Sequence, residues 1–426
     1  KAEESELGDI MKDFLKPFDL TKAPLFRIKL VKISDENHVL LIDVHHIIFD
    51  GMSLEIFMKE LFEIYSGQTL PALEYQYKDF VAWQQKYLKS NKMIEQEKAW
   101  LEMLSGELPV LNMPTDHART AEPGLAGAQY DFFIEHELSS KLKNYANKTQ
   151  STLYMVFLSA LNIMLSKYCS QEDIIVGSPL LGRPTIESQQ MLGMFVNTMP
   201  VRNYPKPDKK ANEFIDEVKR NFFNVIDNQD YQLDTLIEKL NIKRESSRNP
   251  LFDVIFVFQT SQGIKDTRYG DIMVSPGTIE TGTAKFDLSL QAYEAGDYIK
   301  CMLEYRCSLF EPDTIKRMSM HLSNILEQIA DNPEIALKDI ELITDSEKKT
   351  VLYEFNMNDM DYPKDKTVHE LFEVNAELYP DRGAVVYKDK KYTYRELNER
   401  ANMLARCLVK NGVKPRGFVA LISEKS

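Results

Sequence analysis

The sequence predicts an α/β protein arranged as a two-lobed sandwich, with a short piece of a further unit behind it. Three observations carry this prediction. Helix-like and strand-like segments follow one another in mixed order, a Pro/Gly-rich crossover divides them, and the texture turns polar after about Ile343. Strict strand–helix–strand repetition would give a parallel array, whereas this order calls for a mixed sheet with helices packed on it. The 426 residues are enough for two or three compact units, each able to bury its own core.

The elements follow in chain order. PLFRIKLVKI and HVLLIDVHH flank SDEN and read as a β-hairpin that ends at His45 and His46. In SLEIFMKELFEIYSG, Leu54, Phe57, Leu61 and Tyr65 recur at helical spacing, with Gly67 as the stop. A second helical block, YKDFVAWQQKYLKSNKMIEQEKAWLEML, carries Trp83 and Trp100, both expected in the core. From Ser105 to Gln129 prolines and glycines interrupt any apolar period, as a crossover between lobes would. Beyond it, SSKLKNYANK, STLYMVFLSALNIMLSKY and ANEFIDEVKRNFFNVIDNQ read as helices, and DIIVGSP, MFVNTMPVR and LFDVIFVFQT as strands. KFDLSLQAYEAGDYIKCMLEYR reads as a hairpin and PDTIKRMSMHLSNILEQIA as a last helix. The expected divisions are a first lobe over 1–112, a second lobe over 113–345, a polar linker over 346–365 and a separate fragment over 366–426.

Composition excludes several classes. A net charge of -13 lacks the basic footprint that phosphate binding needs, so nucleic acid is not expected as a partner. With 43% hydrophobic and 27% charged residues, neither a disordered nor a fibrous protein is expected. Cys169, Cys301, Cys307 and Cys407 are scattered without metal spacing and read as reduced thiols. No apolar run approaches the roughly 18 residues of a membrane span, and the polar start does not read as a signal peptide. The expected location is therefore the cytoplasm, with no membrane partner.

The stretch VHHIIFDGMS concentrates the chemistry. A histidine at a strand end, followed four residues later by an acid and then by glycine, can form a tight turn that aims the imidazole outward. On this reading His46 handles the proton and His45 is its packed neighbour, while Asp50 holds the turn or pairs with a buried cation. Gly51 is expected to permit a backbone conformation or a close approach that a side chain would block. A lone histidine in an apolar run is more often a satisfied core residue, but HHxxxDG as a whole should arise by chance in on the order of one chain in a thousand. Adjacent histidines on a strand point to opposite faces and do not share a metal ion easily. No G-x-S-x-G elbow and no Walker A sequence is present. What remains is a histidine placed for acyl transfer between two bound substrates, without a covalent enzyme intermediate.

With VHHIIFDGMS stand four further segments: YKDFVAW from Tyr77, GMFVNTMPVR from Gly193, NQDY from Asn228 and RESSRNPLFDV from Arg244. In this order they resemble the motifs of condensation domains of nonribosomal peptide synthetases. The resemblance implies two chloramphenicol-acetyltransferase-like lobes forming a pseudo-dimer with a central tunnel, the first lobe lacking its N-terminal part. It implies an amide bond made between a donor acyl or peptidyl thioester and an acceptor aminoacyl amine, each on the 4'-phosphopantetheine arm of a carrier domain. Donor and acceptor carriers and the adenylation domain of the module are the implied partners, and no cofactor or metal is expected on this segment. The catalytic set would be His46, Asp50 and Gly51, with His46 either a general base or a positioning and electrostatic group. His45, Arg183, Asn197, Thr198 and Asn249 would line the tunnel or support it, with Arg183 a candidate charge partner and Asn249, beside Arg248, fixing a loop. An arginine-rich motif that supports the aspartate in this family is missing here, which leaves Asp50 without its expected partner. YTYRELN, Tyr392 to Asn398, resembles the first motif of an adenylation domain, with no nucleotide loop following. Two rival readings are an epimerisation domain sharing HHxxxDG and a non-catalytic segment that docks carriers.

Overall fold

The computed structural model describes residues 6–121, 124–243, 245–259, 266–275, 277 and 282–422. Arg244, at the head of the last motif, and Thr260, at the end of an expected strand, lie outside them. The chain divides into two compact units, Lys1–Lys348 and Lys349–Ser426.

The first unit opens with α1 (Leu7–Phe14) and the hairpin β1 (Phe26–Lys32) and β2 (His38–Val44), paired antiparallel with Ile28 opposite Ile42. Alternation sends Val31 and Leu41 to one face, where they meet Phe14 of α1 in a small core. After β2 come α2 (Gly51–Tyr65), α3 (Tyr77–Tyr87) and α4 (Asn91–Met103). The sequence reads α3 and α4 as one block, but the helix ends at Leu88 and restarts behind Ser90. The break turns α4 so that Met93, Trp100 and Leu104 join the large core of the second lobe, ahead of the expected 112/113 division. Trp83 is 40% exposed and stacks on Tyr87, so only Trp100 of the two tryptophans is core.

The second lobe is built on a six-stranded mixed sheet. In chain order its strands are β3 (Gly127–Ile134), β4 (Ile174–Leu180), β5 (Asn197–Asn203), β6 (Val254–Gln259), β9 (Leu288–Ala295) and β10 (Tyr298–Arg306). The short hairpin β7 (Thr267–Tyr269) and β8 (Ile272–Val274) lies between β6 and β9. The spatial order is β3-β10-β9-β6-β4-β5, with β6 parallel to both β4 and β9 and the other pairs antiparallel. The helices α5 (His136–Lys148), α6 (Leu153–Cys169), α7 (Ala211–Asp227) and α9 (Pro312–Asp331) pack on it, with the short α8 (Leu233–Lys239) beside β5. The segment LYMVFLSALNIML is apolar around almost its whole circumference, so α6 is buried on every side from Leu153 to Leu165.

The strand expected over MFVNTMPVR begins only at Asn197, and the residues before it form a loop that packs on the first lobe. The expected linker over 346–365 contains most of α10 (Asp345–Leu352). Thr344 and Glu347 cap that helix reciprocally, through Glu347 N–H to Thr344 Oγ1 at 3.3 Å and Thr344 N–H to Glu347 Oε2 at 2.8 Å.

The second unit holds α11 (Val368–Leu378), the hairpin β11 (Gly383–Tyr387) and β12 (Lys390–Thr393), and α12 (Tyr394–Lys410). YTYRELN is the start of α12: Thr393 accepts from Glu396 N–H at 3.2 Å, while Glu396 accepts from Thr393 N–H at 2.8 Å.

Candidate active site at the histidine turn

The two histidines lie just beyond β2 rather than on it. His45 has extended backbone and His46 opens a single 3₁₀ turn, His46–Ile48. Within that turn the His45 ring nitrogen Nδ1 accepts the Ile47 amide at 3.1 Å, which leaves the His45 proton on Nε2. His46 takes the other tautomer. Its Nδ1 stands 2.7 Å from the Phe49 carbonyl, an acceptor only, so Nδ1 carries the proton and donates it. In the neutral ring Nε2 of His46 is then the nitrogen with the lone pair, and the residue is exposed. One main-chain bond thus orients the ring and readies its outer nitrogen to accept a proton.

Asp50 ends the turn and starts α2. With φ -116° and ψ 178° it is the N-cap, and its Oδ1 accepts the Ser53 amide at 2.7 Å. Because Asp50 does the turning, Gly51 already lies in helical backbone, and a Cβ there would meet nothing within 4 Å. The conformational or close-approach role expected for Gly51 is not what the structure shows.

The arginine-rich motif is not what Asp50 pairs with; the buried cation expected beside it is Arg183, the candidate charge partner of the second lobe. Arg183, in the loop after β4, places Nη2 at 2.8 Å from Asp50 Oδ1. Asp50 Oδ2 accepts the Phe195 amide at 3.1 Å, and both side chains of the pair are buried. The guanidinium also donates through Nη1 to the carbonyls of Ser188 and Met191 and lies 4.0 Å over the Phe195 ring. A buried ion pair held by these further bonds fixes one geometry for the loops that carry it, with only the Arg183 Nε of the guanidinium left without a partner among the described residues.

Two residues outside the predicted set complete the junction. Ser53 is fully buried, and its hydroxyl donates to the Gly193 carbonyl at 2.8 Å while accepting from Gly193 N–H and from Arg183 Nη2, each at 3.0 Å. Tyr77 of α3 donates to the Met194 carbonyl at 2.7 Å, and its ring lies against Gly193, where a Cβ would stand 2.2 Å away. Burial pushes the Tyr77 phenol above its usual range, the bond to Met194 opposing and the Asp50 charge adding. Phe80, Met191 and Phe195 form a small apolar core beside these polar bonds. GMFVNT is thus the segment of the second lobe that grips the start of α2. The sequence signal for Ser53 was its place two residues beyond the glycine of HHxxxDG; no local signal marked its partner.

The remaining predicted residues are structural or stand apart. Asn197 does not face outward: its Nδ2 donates to the Gln229 and Tyr231 carbonyls, both at 2.8 Å, and so ties β5 to NQDY. Thr198 sits half-buried in β5 opposite Pro179. Asn249 belongs to another cluster, where its amide and the Arg248 guanidinium both meet Asp253. Burial and the neighbouring Asp287 push the Asp253 carboxyl up, with Arg248 and Arg119 opposing. That cluster borders a cavity of about 140 Å³, and a second cavity of about 260 Å³ lies between α4 and Tyr231. Neither is lined by His46.

Such a histidine turn, clasped by a buried arginine on a mixed α/β lobe, holds an imidazole in a fixed orientation at an exposed position, as proton-moving enzymes require. The family model for condensation domains matches residues 1–352, and that for AMP-binding enzymes matches residues 372–426. The chain belongs to the condensation domain family of nonribosomal peptide synthetases, acyltransferase-type enzymes that form peptide bonds, and runs on into the start of an AMP-binding domain. It is 42% identical to bacitracin synthase 3 of Bacillus licheniformis over 100% of the chain, and 42% identical to surfactin synthase subunit 1 of Bacillus subtilis (strain 168) over the same share. It spans 7% and 12% of the length of those two proteins. Among solved structures, holo-AB3403, a four-domain nonribosomal peptide synthetase bound to AMP and glycine, superposes with a TM-score of 0.83 at 21% identity. That match covers 97% of this chain and 32% of the other. The X-domain from teicoplanin biosynthesis, in complex with OxyB, gives a TM-score of 0.72 at 23% identity over 81% of this chain and 79% of the other. These neighbours show the fold, two chloramphenicol-acetyltransferase-like lobes.

Proposed function

We propose that this chain joins a carrier-bound donor acyl or peptidyl thioester to the amine of a carrier-bound aminoacyl group, with His46 Nε2 as the proton acceptor. The observation that carries the reading is the 2.7 Å bond from His46 Nδ1 to the Phe49 carbonyl, which in the neutral ring leaves the proton acceptor at Nε2 of an exposed residue. The thioester is already activated, so holding the two substrates in register supplies much of the acceleration. The amine nitrogen bonds to the thioester carbonyl carbon and the C–S bond breaks. The proton leaving the nitrogen passes to Nε2 and then to the departing thiolate, which stays on the donor carrier. An α-amino group titrates at about 7.7–8.0, so an imidazole is well matched to that transfer. Asp50 and Arg183 act at one remove by fixing the turn against the second lobe.

The donor and acceptor carrier domains, and the adenylation domain that would load the acceptor, are the partners of this reading. The test is a condensation assay with two loaded carrier proteins, comparing L and D donors. A new amide product on the acceptor carrier supports the reading. Inversion at the α-carbon of a single loaded carrier, with no amide formed, would instead assign the turn to epimerisation.

A further inference from the structure

We propose that Arg27 and Phe18 are positioning residues for the histidine turn, acting through His45; the proposal rests on the reading of His46 as the reacting imidazole. Arg27 lies on β1 directly opposite Asp43 on β2, with Nε 3.1 Å from Asp43 Oδ2. Its other two nitrogens reach back over the segment that precedes β1. Nη1 donates to the Phe14 carbonyl at 3.3 Å and Nη2 to the Lys16 carbonyl at 2.5 Å. The guanidinium carbon stands 3.9 Å from the centre of the Phe18 ring. One planar cation therefore fixes a strand, a helix end and an aromatic ring together, which a lysine ammonium cannot do.

The Phe18 ring meets the His45 imidazole edge to face, at 5.9 Å between centroids and 89° between planes. His45 is tied from behind as well, its amide donating to the Leu25 carbonyl at 2.9 Å. With backbone and ring both placed, His45 Nδ1 accepts the Ile47 amide and so closes the turn on which His46 stands. The line of contact runs from Asp43 and Arg27 through Phe18 to His45, and from His45 to the turn. It lies wholly in the first lobe and is separate from the clasp of Asp50 by Arg183. Asp43 and Arg27 are each about one-fifth to one-quarter exposed. Their pairing is close enough to the surface that removing it should leave the lobe folded.

The test uses the 426-residue chain with ¹⁵N-labelled histidine, read by the imidazole resonances and by turnover with loaded carriers. The wild type should show opposite tautomers, the proton on Nε2 for His45 and on Nδ1 for His46. Arg27→Met and Phe18→Leu should move the His45 resonances away from the Nε2–H form. Both should also lower kcat about tenfold with KM unchanged and Tm within a few degrees. Arg27→Lys should give the same loss, Phe18→Tyr should keep wild-type values, and Lys29→Met, on the same strand, should change nothing. Unmoved His45 resonances in both loss variants would overturn the proposal. So would a kcat loss that only tracks the unfolded fraction, or full rescue by Arg27→Lys. The resonances decide the positioning claim even where turnover does not depend on His46, so the two readings fail separately.

Discussion

Arg183 Nη2 stands 2.8 Å from Asp50 Oδ1 in a junction that solvent does not reach, so the first lobe's histidine turn is held by a cation of the second lobe. Removing one partner of a buried pair leaves the other charge uncompensated, at a cost of about 3–5 kcal/mol. Asp50→Asn and Arg183→Met should each lose stability in that range by denaturant unfolding, and amide formation with it. Arg183→Lys should not restore either, because the guanidinium also serves the Ser188 and Met191 carbonyls. Full stability in either single variant would show that the pair does not hold the lobes together.

Ser53→Ala deletes one hydroxyl but strands the amide and the carbonyl of Gly193, both bound to it. Orphaning a buried polar group costs about 1–3 kcal/mol. The free energy of unfolding should fall by that amount, and Ser53→Thr should recover less than half, since it adds a methyl group to a fully buried site. Gly193→Ala should be at least as damaging through collision with the Tyr77 ring.

Asn197→Ala should lower the melting temperature while leaving kcat per folded molecule close to wild type. The Asn197 amide bonds the Gln229 and Tyr231 carbonyls and no reacting group. A selective loss of kcat at unchanged melting temperature would return Asn197 to the substrate path.

Acid should release α10. Burial alone would raise the Glu347 carboxyl, but the amide and hydroxyl of Thr344 and the His321 imidazole outweigh it, and the net shift is below the ordinary 4.5. A lowered carboxylate stabilises the fold above its unfolded-state value, and that contribution is lost as pH falls through the lowered one. Glu347→Gln should therefore melt below wild type at pH 7, with the gap closing as pH drops below 4.5. A gap that stays constant through acid would show that the His321 contact does not depend on charge.

What could be read in the sequence was what short-range pattern encodes. Alternation placed the β1–β2 hairpin, the unbroken apolar run placed α6, and HHxxxDG placed the turn. What could not be read was set by partners far along the chain. Arg183 could be named as a candidate charge partner, but its 133-position reach to the Asp50 carboxylate is written in neither segment, and Gly193 lies 140 from Ser53 with nothing local at either end to announce the other. The same holds for Asn197, whose direction is decided by the carbonyls of NQDY rather than by its place at a strand end. Gly51 shows the opposite error, a motif glycine credited with a backbone role that Asp50 performs. The break between α3 and α4 was missed because LKSN carries no proline or glycine to mark it.

The central claim is that His46 Nε2 accepts the proton as the amide forms, and His46→Ala in this chain, assayed with two loaded carrier proteins, tests it most directly. With both carriers shown to be loaded, dipeptidyl product measured by mass spectrometry should fall by roughly 10²–10⁴-fold. An unchanged yield of that product from the same loaded carriers would contradict it.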